Sequence, residues 1–164
     1  MSDPDRLFDP EPGLVLRRAA PAEAELVRTI SAAAYVPAYR AVIGAVPKPA
    51  TECYAGRIAR GEVWLLEHAG KPAGVLVAEP AADHLAIYSV AVLPSAQGRG
   101  FGKALLALAG QLAARRGLPE LRLYTNTRMT RNLALYRGAG FVETGTRAHP
   151  SRPGERLVDL SKRL

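Results

Sequence analysis

The chain has 164 residues, 48% of them hydrophobic and 23% charged, values of a folded domain of ordinary single-domain size rather than of a disordered segment. Its longest apolar stretch, residues 104–114, contains Gln111 and falls well short of the roughly 20 residues that cross a bilayer as a helix. The net charge of +7 is uneven: residues 1–98 carry 9 Lys/Arg against 11 Asp/Glu, and residues 99–164 carry 13 against 4. Isolated arginines without interleaved aromatic residues fit a polyphosphate ligand better than a nucleic-acid surface.

Residues 1–12, with four acids and three prolines, are expected to form a loose tail ahead of one domain at 13–164. They lack the basic start and apolar run of a secretory signal, and the single Cys53 can form no internal disulfide, so a cytoplasmic location is expected. Cys53 itself is expected to serve as a small buried or half-buried apolar group. Residues 13–18 predict a short strand. Leu26, Val27, Ile30 and Ala34 then recur at helical spacing up to about Tyr35, with Pro37 expected to kink or end that helix. Gly44, Pro47 and Pro49 mark a loop before a second helix near 51–60, which Gly61 closes.

Residues 62–67 and 73–78 predict a hairpin around the turn 69–72, and the run 84–93 a further strand stopped by Pro94. From Gly102 the pattern turns helical, with Leu105, Leu108, Ala109, Leu112 and Ala113 on one side and Arg115-Arg116-Gly117 at the end. Strands at 121–125, 141–146 and 156–160 and a short helix at 130–136 complete the chain. The fold class predicted is α/β, with one sheet and flanking helices.

Between the strand ending at Leu93 and the helix starting near Gly102 lies Gln97-Gly98-Arg99-Gly100-Phe101-Gly102. Unpaired N–H groups and the helix dipole at such a place favour an anion, and glycines let phosphate oxygens approach the backbone. A dinucleotide fingerprint would need glycine at Lys103 or Leu105, and a P-loop would need Gly at Gln97 and Ser or Thr at Ala104. Neither motif is met.

What is met is Gln-x-x-Gly-x-Gly after Val90-Ala91-Val92, and Asn132-Leu-Ala-Leu-Tyr136 followed by Gly138-Ala-Gly-Phe141. On these residues the chain resembles the GNAT superfamily of N-acetyltransferases, most specifically over residues 84–143. The segment 118–132 resembles a bacterial branch whose substrates are mostly unassigned. The resemblance implies a mostly antiparallel central sheet, splayed where 90–93 runs beside 121–125, with helix 102–116 on one face. It implies acetyl-CoA as co-substrate, its pyrophosphate on Gln97 to Lys103, its pantetheine arm along Val90, Ala91 and Val92, and Asn132 in contact with it. Tyr136 would stand near the thioester sulfur, where a phenol can give a proton to the departing thiolate. A backbone N–H near Val92 would polarise the thioester carbonyl.

Family members with a strand glutamate as general base carry it where this chain has Tyr88. Glu79, Asp83, His84, Glu52, Tyr54 or a water chain are left as alternatives. The acceptor, expected to be a small amine or a peptide N-terminus, would enter beside Tyr35, Tyr39, Tyr54 and Tyr88, with Glu52 anchoring a cationic amine. A protein lysine acetyltransferase and a non-catalytic acyl-CoA sensor are the alternatives. No metal, nucleic acid or membrane is expected as partner, and a second copy of the chain is left open.

Overall fold

A computed structural model describes residues 12–164; the expected tail falls on residues 1–12 and so lies, but for Pro12, outside the described residues. One seven-stranded sheet runs in the order β1-β2-β3-β4-β5-β7-β6. Its strands are β1 (Leu14–Arg18), β2 (Val63–His68), β3 (Lys71–Pro80), β4 (Leu85–Val92), β5 (Glu120–Asn126), β6 (Val142–Ala148) and β7 (Arg156–Arg163). All neighbours pair antiparallel except β4 and β5.

Both faces of the sheet are covered, which is why β2 and β3 read as continuous apolar runs. Successive side chains point to opposite faces. Val63 and Leu65 join Val27 and Ile30 of α1 (Ala24–Val42) and Ile58 of α2 (Ala55–Ala59). Trp64 and Leu66 join Leu105, Leu108 and Leu112 of α3 (Phe101–Arg115) on the other face, where α4 (Thr130–Gly138) adds Leu133 and Tyr136. Among the described residues no helix is long and apolar enough to cross a membrane.

Three expectations change. Helix α1 does not stop at Pro37 but runs on to Val42. Pro37 removes the N–H that would bond the carbonyl four residues back, yet Tyr35 is anchored on β4 by hydrogen bonds described below, and its ring packs edge-on against Tyr39 at 5.7 Å. The second helix is shorter than predicted, a turn of 3₁₀ helix at Lys48–Ala50 followed by α2. Residues 51–54 are consequently irregular, and Cys53 is exposed rather than buried.

The feature that makes a site is the gap between β4 and β5. They pair only at Leu85↔Leu121 and Ala86↔Arg122 and then diverge. On its other edge β4 slips register against β3 between Val77 and Ala78, opposite Ser89 and Ile87. Ile87 and Val90 both face the α3 side, while Tyr88 and Ala91 both face the α1 side. That spacing of three is the signature of a bulge at Tyr88, which bends β4 away from β5.

Candidate active site

The open edge of β4 exposes polar backbone groups that a paired strand would satisfy. Tyr35 meets this demand at Val90. Its hydroxyl donates to the Val90 carbonyl at 2.9 Å and accepts from the Val90 N–H at 3.1 Å. Ser89 Oγ, 3.0 Å away, completes the set as a further donor. Leu93 N–H bonds the Ala73 carbonyl on β3, so by alternation the N–H and carbonyl of Val92, like those of Val90, face the gap. The Val92 carbonyl accepts from Gln97 Nε2 at 3.1 Å, and Arg131 Nη2 reaches Gln97 Oε1 at 3.5 Å. Gln97 therefore ties the glycine loop to the end of β4.

The loop itself is built for backbone approach. Gly98 and Gly100 adopt φ of +80° and +82°, and a Cβ at either would meet nothing within 4 Å. The left-handed backbone requires glycine there, and the space in front stays open. At Gly102, in contrast, a Cβ would lie 3.2 Å from Leu135, so this glycine lets α3 and α4 pack closely.

A groove of about 700 Å³ runs from this loop between α1, β4 and α4. Of the residues predicted to hold the cofactor, Val90, Ala91, Val92, Gln97, Gly98, Gly100, Phe101, Gly102, Lys103 and Asn132 line it; Arg99 does not. The α3 N-terminus, Lys103 and Arg131 place positive potential at one end, and Ala34, Ala38, Ala41 and Val42 of α1 give an apolar wall. Arg131 and the α1 wall were not anticipated from sequence.

A second cavity, of about 450 Å³, opens on the other side of the same gap. Tyr35, Tyr39, Val90 and Asn132 line both cavities, so the two meet there. Tyr88 and Tyr136 line the second one only. Tyr136 is buried, its ring edge-on to Phe141 at 6.0 Å, and its hydroxyl takes no hydrogen bond from a described residue. Burial, with Tyr39 close by, pushes its pKa well above the ordinary tyrosine value, so it holds its proton at neutral pH. Burial likewise raises Tyr35, with Tyr136 adding to the effect, and it raises Tyr39. Asn132, one helical turn before Tyr136, donates to Thr125 Oγ1 at 3.3 Å.

Tyr54 and Glu52 line neither cavity. Tyr54 is fully buried and donates to the Pro49 carbonyl. Glu52 pairs with Arg57 at 2.9 Å, and Arg57, 3.1 Å from Glu62, lies 3.9 Å over the Tyr88 ring. This is a structural ion network behind the cavity wall. His84 and Asp83 pair with each other at 2.7 Å at the start of β4, remote from the gap, and Glu79 is at the same end. None of these three lines either cavity. The second cavity is instead roofed by Pro47, Lys48, Pro49 and by the β6–β7 loop carrying His149, Pro150, Ser151 and Arg152, whose Nη2 donates to the Val46 carbonyl at 3.0 Å.

A family model described as the acetyltransferase (GNAT) family matches residues 15–141. The chain belongs to this family. By its description that family is one of acetyltransferases. A mycothiol acetyltransferase of Jonesia denitrificans is 42% identical over 67 residues, 41% of this chain and 21% of that protein. N-acetyltransferase family 8 member 2 of Rattus norvegicus is 29% identical over 112 residues, 65% of this chain and 46% of the relative. The chain thus spans less than half the length of these curated relatives. Among solved structures, the PaiA N-acetyltransferase of Thermoplasma acidophilum, in complex with coenzyme A, shares the fold with a TM-score of 0.74 and 14% identity, over 92% of this chain and 99% of that one. The whole groove lined by residues 34–135 lies inside the span of the family match; the β6–β7 loop lies beyond it.

Proposed function

We propose that the chain is an N-acetyltransferase that transfers the acetyl group of acetyl-CoA directly to a primary amine, the donor lying in the larger groove and the amine in the smaller cavity. The observation that carries this is the junction: the two cavities meet at Tyr35, Tyr39, Val90 and Asn132, beside the only stretch of β4 whose backbone faces an open gap.

The residues present fit the donor. Gly98 and Gly100 offer an open backbone at the α3 N-terminus for the pyrophosphate, with Lys103 and Arg131 as countercharges. The edge of β4 offers Val90 and Val92 to the amide groups of the pantetheine arm, and the Val92 N–H is placed to donate to the thioester carbonyl oxygen as charge builds on it. The amine nitrogen attacks the carbonyl carbon, the C–S bond breaks, and the sulfur leaves as thiolate. Tyr136, buried and protonated, gives the leaving sulfur its proton; water takes the amine's excess proton and returns one to the Tyr136 oxygen. Among the described residues no Asp or Glu lines the acceptor cavity.

The test is Tyr136→Phe. Thiol release from acetyl-CoA with a panel of primary amines should fall about tenfold to a thousandfold in kcat, with unchanged thermal stabilisation by acetyl-CoA. Equal kcat in the two proteins would remove Tyr136 from the chemistry, and a lack of stabilisation by acetyl-CoA in the wild type would refute the donor site.

A further inference from the structure

The acceptor cavity is lined by Lys48, Arg147, His149 and Arg152 and, among the described residues, by no carboxylate. Arg147 is neutralised by Asp159 at 3.0 Å and stacks on Tyr124. Lys48 and Arg152 are different: among the described residues neither has an ion-pair partner. The acidic group nearest in sequence to Arg152, Glu155, is hydrogen-bonded by Asn126 at 2.8 Å and Arg128 at 3.2 Å, and Arg152 acts on it through space without pairing with it. Arg152 spends one N–H on the Val46 carbonyl, which leaves most of its five donors to the cavity side and solvent. His149 adds to the same bias. Its Nδ1 accepts from the backbone N–H groups of Ser151 and Arg152, both at 3.1 Å, so the neutral ring carries its proton on Nε2 and is a donor there.

The Val46 bond brings Arg152 over the segment that bears Lys48, so the unpaired cations gather under the roof. Tyr35, Tyr39 and Asn132 line the cavity where it meets the donor groove, and Tyr136 lines the cavity beside them. We infer that the acceptor is a small amine that also bears a carboxylate, of the amino-acid or short-peptide class, with its carboxylate under Arg152 and Lys48 and its amine at the junction. This rests on the proposed acetyl transfer and names its substrate class. A di- or polyamine would place a second ammonium against like charges, which costs affinity, whereas a carboxylate meets charge-assisted donors. The same cations act on the amine. A like-charged surrounding disfavours an ammonium, so it raises the fraction of free amine.

The experiment compares matched acceptors with the wild-type chain and acetyl-CoA: free amino acids and dipeptides, their C-terminal amides, the corresponding decarboxylated amines, agmatine and spermidine, and O-phosphoethanolamine. Free carboxylates should exceed their amides and decarboxylated partners in kcat/KM by at least about tenfold, since the analogue leaves charged donors without a partner. Lys48→Met and Arg152→Met should each erase most of that preference through KM, with acetyl-CoA stabilisation unchanged; Lys48 is exposed and only its backbone carbonyl, which the substitution keeps, accepts hydrogen bonds, so its variant keeps the test valid if Arg152→Met unfolds. Amides or polyamines used as well as carboxylates would overturn the inference while leaving acetyl transfer intact, and a preference for O-phosphoethanolamine would overturn the carboxylate in favour of a phosphate. If no acceptor is turned over, N-acetylated amino acids should still stabilise the CoA-loaded chain above their amides; equal effects would overturn it. Failure to bind acetyl-CoA at all would instead strike at the proposed function.

Discussion

Removing one oxygen atom at Tyr35 should have an effect out of proportion to its size. In Tyr35→Phe the ring stays and the packing on α1 and β4 is kept, but the Val90 N–H, the Val90 carbonyl and the Ser89 hydroxyl lose their partner together. Ser89 is 3% exposed, so its hydroxyl is left without water. A buried polar group without a partner costs about 1–3 kcal/mol. The Val90 groups border the groove and can be rehydrated, so the total should be about 2–4 kcal/mol rather than the sum of three full penalties. For a chain of this size each kcal/mol lowers Tm by roughly 2–4 °C, which gives a fall of roughly 5–15 °C. Denaturant titration and a thermal melt measure it directly. The increment by which acetyl-CoA raises Tm should also shrink, because the freed edge of β4 no longer holds Val90 and Val92 in register with the groove. A Tm within about 2 °C of wild type would refute the idea that this hydroxyl holds the gap open.

Gly100→Val should lose acetyl-CoA stabilisation in a thermal-shift assay: no atom blocks the side chain, but φ of +82° costs an L residue about 1–2 kcal/mol and favours a flip that turns the loop N–H groups aside. Retained stabilisation would move the pyrophosphate elsewhere. Arg57→Met should destabilise the fold by about 3 kcal/mol or more, because it strips Glu52 of its partner and leaves Glu62 with Arg60 alone; the urea midpoint reads this. Stability should also fall as pH rises above the ordinary tyrosine value of about 10. Tyr35, Tyr39, Tyr54, Tyr88 and Tyr136 all have pKa values raised by burial. Unfolded tyrosines then lose protons that the folded ones keep, which favours unfolding, while between pH 7 and 9 these groups contribute no slope; denaturant midpoints across pH 7–11 check both limbs.

The parts of this fold visible in the sequence are those decided over short distances. The glycine loop, the start of α3 and the pairing of Asn132 with Tyr136 on one helix depend on local spacing alone. The full length of helix α1 is not legible in the sequence, because what carries it past Pro37 is not local: Tyr35 is anchored on β4, 55 residues away. Glu52 and Tyr54 looked like acceptor residues because they sit near the expected wall, but Arg57, five residues on, and the Pro49 carbonyl draw them into the interior. The roof of the acceptor cavity left only a faint trace. The cluster His149-Pro150-Ser151-Arg152-Pro153-Gly154 signals a turn between two strands, but only the completed β6–β7 hairpin sets that turn over Val46, 106 residues earlier.

The bond between Arg152 and Val46 divides the molecule in a way its secondary structure does not show. Every residue lining the groove proposed for the acyl donor lies between residues 34 and 135, while the roof over the proposed acceptor cavity is stitched from two short loops at 46–49 and 149–152. Such a roof can be rewritten without disturbing the engine beneath it. Exchanging the two loops as a pair, with the Val46 contact preserved, would be the economical route to a new acceptor; exchanging either alone would cut the stitch and leave the cavity without a lid.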